Sequence, residues 1–221
     1  MKSFDFFYER ALQCKGSEAR VKDLLPVNIL TPDQLRKVSD DRFLSEITKA
    51  VFQAGFYWKV VEAKWSDFEK AFWQFDVIKC ASMFPDELEA LAKDDRIIRN
   101  PQKIKTVPRN AAMILACKEA DRSFAQRIAD WPDDDFIGLL SFLHKKGARL
   151  GPKTCQYFLR SIGKDGFVLG RDGVRSLVLA GIIEGEPTSK TDLKKIQQAY
   201  NFWRDESGFS NAQISKILAM S

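Results

Sequence analysis

Apolar residues recur at steps of three and four over the first long patterned segment: Phe43, Leu44, Ile47, Val51, Ala54, Trp58 and Val61. That spacing predicts one amphipathic helix with a full buried face. Phe52, Phe56 and Tyr57 lie off the stripe, beside Gln53 and Lys49. Large rings on a second face predict a second packing partner, either another protein surface or a flat ligand. Trp58 lies on the stripe itself, so its ring divides between core and pocket wall. Gly55 falls inside the predicted helix. A glycine there costs about 1 kcal/mol against alanine, and close approach of another backbone or a base would offset it.

Helix punctuation recurs down the rest of the chain. Asp40 and Asp41 precede the first segment as cap candidates, and Ser66 with Glu69 reads as a capping box. Pro85 suits a first helical position, Asn100-Pro101 opens another helix, and Ser210 with Gln213 repeats the capping box near the C-terminus. Pro108 should kink or split the helix over 101–120. No alternating apolar–polar run of useful length occurs, so the expected class is all-α, with roughly ten helices at the usual lengths. The chain reads as one domain, 1–221, with N-terminal helices over 1–40 that match nothing recognisable. Patterned helices follow over 41–120 and 133–182, and a terminal pair over 188–221 follows a loop at 181–192.

Composition narrows the function classes. The 221 residues suffice for a sizeable core. No apolar run reaches half of the roughly 20 residues a membrane span needs, so no membrane association is expected. The start MKSFDFFYER has acids early and no long apolar core, so no signal peptide is expected. Cys14, Cys80, Cys117 and Cys155 form no CxxC pair and His144 is the lone histidine. Reduced thiols, an intracellular location, and neither metal nor cofactor are therefore expected. The net charge of +5 is unevenly spread: residues 96–110 carry +5, residues 144–175 carry +6, and the remainder sums to −6. A solvated face accounts for one such run; two in an otherwise acidic chain point to a polyanion.

The segment KKGARLGPKTCQYFLRSIG, 145–163, ends one helix in lysines, turns through glycines and starts the next helix at Pro152. Such a turn can aim backbone N–H groups at an external anion, with the next helix's dipole behind them and Thr154 as a further donor. The plain alternative is an αα-hairpin with a Gly stop and a Pro start. His144 is given no catalytic role.

Asp172 follows Lys153 by 19 residues, about a helix plus a connection, and precedes a further helical segment. In this the chain resembles the helix-hairpin-helix DNA glycosylase superfamily, with RLGPKTC (149–155) as the hairpin and Asp172 as its essential aspartate. Arg149 stands where that superfamily has its first hairpin glycine. A narrower resemblance, to the 3-methyladenine DNA glycosylase I family, rests on several motifs in order. They are Gln53-Ala54-Gly55 with Trp58, Phe72 with Phe75-Asp76, Ile97-Ile98-Arg99 with Lys103-Ile104, and Asn110-Ala111. The ordered match runs over about 43–118 and more weakly to 163. Two departures stand out: Ala50 where the family has a base-contacting glutamate, and no Cys/His zinc site near the termini. Glu46, one turn earlier on the same face, could partly substitute.

The resemblance implies a helical fold around a DNA-facing cleft, and a monomer that acts on double-stranded DNA holding a damaged base. It implies a base pocket from Glu46, Phe52, Gln53, Phe56, Tyr57 and Trp58. It implies DNA contacts from Lys103, Arg109, Lys146, Gly147, Arg149, Gly151, Lys153 and Thr154, and catalysis by Asp172. An alkylated purine is cationic, and an electron-rich ring gains roughly 0.5–2 kcal/mol from a cation on its face. Asp172 would stabilise positive charge on the sugar as the N-glycosidic bond breaks; its bland role is an N-cap. Two other readings remain open at this point. One is a glycosylase/lyase that attacks the sugar of oxidised-base lesions with Lys153. The other is a non-catalytic DNA-binding protein on the same scaffold.

Overall fold

The computed structural model describes residues 2–119 and 122–221. Among them every regular element is helical. In chain order these are α1 (Phe4–Lys15), α2 (Glu18–Asp23), α3 (Pro32–Leu35), α4 (Asp40–Gln53), α5 (Trp58–Ala63) and α6 (Trp65–Ala71). Then come α7 (Val77–Ala81), α8 (Pro85–Lys93), α9 (Pro101–Ile104), α10 (Thr106–Glu119) and α11 (Phe124–Ala129). The last five are α12 (Phe136–Lys146), α13 (Pro152–Ser161), α14 (Arg171–Leu179), α15 (Lys190–Ser207) and α16 (Asn211–Leu218). The expected all-α class holds. The segments outnumber the ten expected because many span only four to seven residues, each closed by its own cap or turn.

The chain divides into two compact units, one of Met1–Leu30, Trp131–Leu139 and Gly163–Ser221, the other of Thr31–Asp130 and Leu140–Ile162. In the first, α1 packs on α15 and α16, so the unread N-terminal segment is a core element. Phe7 meets Trp203 edge-on at 5.5 Å, Tyr200 meets Trp203 at 5.7 Å, and Phe167 stacks on Tyr200 at 4.0 Å. Each such buried ring stabilises by roughly 1.5–3 kcal/mol. Asp165 caps α16 by accepting from the N–H groups of Asn211 (3.0 Å) and Ala212 (2.8 Å). The Ser176 hydroxyl donates to the Leu218 carbonyl at 2.7 Å, which ties α14 to α16.

In the second unit α4 is the central helix, packed by α10 and α13, with Phe43, Leu44, Ile47, Val51 and Phe52 inside. Trp65, Phe68, Phe72 and Phe75 form a ladder of near-parallel rings, and Phe52 meets Phe68 edge-on at 4.7 Å. Below the ladder Trp73, Gln74 and Phe75 all take left-handed φ values, 51°, 58° and 59°. None is glycine, so each costs of order 1–3 kcal/mol. Arg42 holds this turn: it donates to the Gln74 carbonyl at 2.9 Å and to both Glu69 carboxylate oxygens at 2.9 Å. Ser45 adds a bond to Glu69 at 2.7 Å. Glu69 is therefore engaged across the fold, and the capping box expected with Ser66 does not form; α6 starts at Trp65 without a side-chain cap.

Other local expectations stand. Pro85 and Pro101 sit in first turns, Asn100 accepts from the Lys103 N–H, and Ser210 with Gln213 forms its capping box. The segment around Pro108 is split, the break falling at Lys105 between α9 and α10. Asp40 and Asp41 lie in the first turn of α4 and the cap position belongs to Ser39. The long helix predicted through Val61 is two helices. Ala54 leaves helical geometry, Gly55 turns left-handed at φ 71°, and Ala54 and Trp58 face outward.

Candidate functional site

The turn between α4 and α5 gathers most of the predicted pocket residues. Gln53 is half-buried at the end of α4, and the chain reversal pushes Phe56, Tyr57 and Trp58 outward, 44%, 66% and 41% exposed. Trp58 meets Tyr157 of α13 edge-on at 4.9 Å. Phe52 departs from its expected place: it is wholly buried against Phe68 and belongs to the core. Ala50 is buried too, so position 50 presents no polar group. Glu46 is half-buried and faces Lys49 at 3.6 Å, so its carboxylate is engaged by a cation of its own helix.

Lys103 also departs from expectation. It is 7% exposed, and its ammonium donates to the carbonyls of Phe52 (3.0 Å) and Ala54 (2.8 Å), 5.9 Å from the Phe56 ring centre. Burial, with Arg149 nearby, pulls its pKa below the ordinary lysine value. A cation at the C-terminal carbonyls of α4 complements the helix dipole and fixes the start of the aromatic turn. It is a clamp inside the fold, not a surface phosphate contact. Lys164, from the second basic run, is likewise buried, bonded to Asp133 and the Trp131 carbonyl. The two basic runs thus offer less free charge than their counts imply.

The hairpin forms where the sequence places it, with α12 ending at Lys146, a turn over 147–151, and α13 starting at Pro152. Gly147 is obligatory, since a Cβ there would lie 2.4 Å from the Leu150 side chain and 2.9 Å from the Leu143 carbonyl oxygen. Arg149 adopts φ 57°. A left-handed backbone that glycine adopts more easily thus carries a charged side chain here, bonded to Gln102 of α9. Asn110, fully buried on α10, clamps the turn by accepting from the Ala148 N–H at 2.7 Å and donating to its carbonyl at 3.2 Å. His144 donates to the Leu150 carbonyl at 2.8 Å, a structural role that its position next to the turn explains. The first turn of α13 has Gly151 at its cap position and no side-chain cap bond, with Lys153 exposed and Thr154 half-buried beside it. Lys146 and Arg109 are exposed. Uncapped first-turn amides beside mobile cations are suited to an anion.

Asp172 lies in the other unit, in the first turn of α14, exposed, its nearest cation Arg171 at 3.9 Å. The cap position is Gly170 and Asp172 makes no capping bond. The N-cap role that competed with a functional one is therefore empty. Among the described residues no three His, Cys, Asp or Glu side chains cluster as metal ligands, and no helix is long and apolar enough to cross a membrane.

Sequence reasoning gave no role to Asn110 or to Arg127, which lines a cavity described below. The only signal for Asn110 was a polar residue between apolar neighbours on a helix, with the Asn-Ala pair already noted.

Residues 35–137 match the methyladenine glycosylase family. A DNA-3-methyladenine glycosylase of Haemophilus influenzae is 28% identical over 130 residues, half of this chain and 70% of that protein. Among solved structures, 3-methyladenine DNA glycosylase I from Staphylococcus aureus superposes with a TM-score of 0.53 at 19% identity, over 69% of this chain and 90% of its own. The 8-oxoguanine DNA glycosylase of Methanocaldococcus jannaschii superposes with a TM-score of 0.59 at 15% identity, over 95% of this chain and 90% of its own. The second likeness extends the fold over nearly the whole chain; the hairpin and Asp172 fall outside residues 35–137. Over residues 35–137 the chain is thus similar to the methyladenine glycosylase family, and its all-helical fold is shared with these DNA glycosylase structures.

Proposed function

We propose that the protein is a DNA glycosylase of base-excision repair that hydrolyses the N-glycosidic bond of a flipped-out alkylated purine such as 3-methyladenine. The observation that carries this reading is the aromatic turn inside the family-matched region. Three adjacent rings, Phe56, Tyr57 and Trp58, stay solvent-exposed on a backbone fixed by Lys103. A soluble fold leaves such a group uncovered where it meets another surface. A base in a duplex is unreachable until it leaves the stack, and exposed rings supply what an unstacked base loses.

The hairpin holds the DNA backbone through the α13 amides, Gly147, Arg149, Gly151, Lys153 and Thr154, with Lys146 and Arg109 beside it. These contacts supply affinity and register without reading sequence. Gln53 reads the edge of the base, while Phe56, Tyr57 and Trp58 stack on it. Phe52 and Glu46 serve this site from behind, by packing and by charge. Asp172 stabilises the positive charge that develops on the sugar and orients the attacking water. With Ala50 in place of the family's glutamate, recognition of a cationic base falls to the rings, through cation–π attraction. The protein acts as a monomer on double-stranded DNA inside the cell.

The test is chromatography of bases released from a methylated duplex by the purified chain. Free 3-methyladenine, with none from unmethylated DNA, is expected. Duplex binding with no methylated purine released would leave only a DNA-binding protein on this fold.

A further inference from the structure

A cavity of about 470 Å³ lies within the second unit, beside the hairpin, between α10, α11 and α12. Arg109, Met113 and Cys117 reach it from successive turns of one face of α10; Arg127 enters from α11, Phe142 and Lys146 from α12. The described lining thus holds three cations and no carboxylate, over an otherwise apolar floor. The Arg127 guanidinium carbon stands 5.4 Å from the Phe142 ring centre, and its Nε is buried without a hydrogen-bond partner. Burial pushes the Cys117 thiol pKa up, while the Arg127 charge and its hydrogen bond with the thiol oppose it. Three cations facing no carboxylate among the described lining suit an anionic ligand.

The cavity joins the hairpin covalently and by hydrogen bonds. Lys146 on its rim precedes Gly147, and Arg109 precedes Asn110, which holds both polar atoms of Ala148. A strand that sets one phosphate on the hairpin amides carries its neighbouring phosphate toward this rim. We infer that the cavity is a second phosphate seat, in which Arg127, Arg109 and Lys146 take a backbone phosphodiester of the hairpin-bound DNA strand and the apolar floor takes its sugar. The inference deepens the proposed function and rests on its DNA-binding part, not on catalysis.

The experiment titrates an undamaged duplex by fluorescence anisotropy across salt concentrations, so that base release does not enter. Each phosphate contact contributes about 0.9 to the slope of log affinity against log salt. Arg127→Gln should lower the slope by about 0.9 and weaken binding about eightfold near 0.1 M salt. Arg109→Gln, on an exposed side chain, should do the same if Arg127→Gln proves poorly folded. Lys93→Gln, exposed on α8 and outside the lining, removes the same charge and should leave the slope unchanged. Calorimetry with deoxyadenosine monophosphate and with inorganic phosphate distinguishes a free anion from DNA. Binding of either, abolished by Arg127→Gln with the DNA slope unaltered, overturns the assignment to DNA. Slopes for Arg127→Gln and Arg109→Gln equal to that of Lys93→Gln overturn the seat altogether. A wild type that binds duplex steeply while these variants do not differ from it sinks this inference alone; a wild type that binds no duplex sinks the proposed function with it.

Discussion

Replacing Asn110 with alanine removes a buried side chain that ties the hairpin turn to α10. The side chain is fully buried and makes two bonds, accepting from the Ala148 N–H at 2.7 Å and donating to the Ala148 carbonyl at 3.2 Å. Ala148 is 4% exposed, so water does not readily replace either bond. Each buried group left unpaired costs about 1–3 kcal/mol. Partial relaxation of the turn keeps the sum below the simple total, and about 2–4 kcal/mol is expected. For a chain of this length that lowers the melting temperature by roughly 4–16 °C. Asn110→Asp separates the two bonds: the acceptor is kept, the donor is lost, and the carboxylate faces the Ala148 carbonyl, so it should not rescue. Thermal melts followed by circular dichroism measure the stability. Duplex anisotropy at 10 °C, where the variant is still folded, should show about tenfold weaker binding from a hairpin no longer held in register, about one charge-assisted bond. An Asn110→Ala protein that melts within 1 °C of wild type and binds DNA equally well would refute the clamp.

Two further predictions concern the same unit. Arg42→Ala leaves the left-handed turn at Trp73–Phe75 without its tie and Glu69 without its cation, the Ser45 bond remaining; a loss of about 1–2 kcal/mol in urea unfolding is expected, between the scales for exposed and buried pairs. For Glu69, burial raises the carboxyl pKa but the bonds from Arg42 and Ser45 outweigh it, and the net shift is downward. A depressed carboxylate contributes stability above its unfolded value near 4.5 that is lost as pH falls through the folded value. Acid unfolding of Glu69→Gln should therefore be shallower below pH 4.5, and an unchanged acid limb would contradict the assignment. Lys153 is exposed at the start of α13; under the proposed role as a phosphate contact, borohydride should trap no covalent DNA adduct. Lys153→Ala should flatten the salt slope by about one; a trapped adduct that the substitution abolishes would instead establish a lyase.

Local grammar was legible in the sequence, and long-range pairing was not. Asn100 with Lys103 and Ser210 with Gln213 rest on bonds within four residues and form as read, and the hairpin at 147–151 turns where its glycines and Pro152 place it. The α4–α5 break was hidden because Trp58 and Val61 continue the apolar stripe, so periodicity alone could not show that Gly55 turns the chain at φ 71°. Glu69 was misread for the opposite reason: a plausible local partner, Ser66, lost to Arg42 and Ser45, 27 and 24 residues away. Lys103 and Lys164 were counted as free charge because a sequence does not show which cations the fold buries. Within the site, the exposed rings and the hairpin were readable; the carbonyl clamp from Lys103 and the Asn110 tie depend on tertiary contacts. The N-terminal helix was unreadable by motif, yet Phe4 and Phe7 complete the aromatic core of its unit.

The claim on which the account turns is that the Asp172 carboxylate carries the chemistry. Single-turnover release of 3-methyladenine from a methylated duplex, wild type against Asp172→Asn at saturating enzyme, measures it directly. Removal of one preorganised electrostatic stabiliser lowers such rates by about a hundredfold or more. The account predicts that loss in the asparagine variant with duplex affinity retained. Release at the wild-type rate would contradict it.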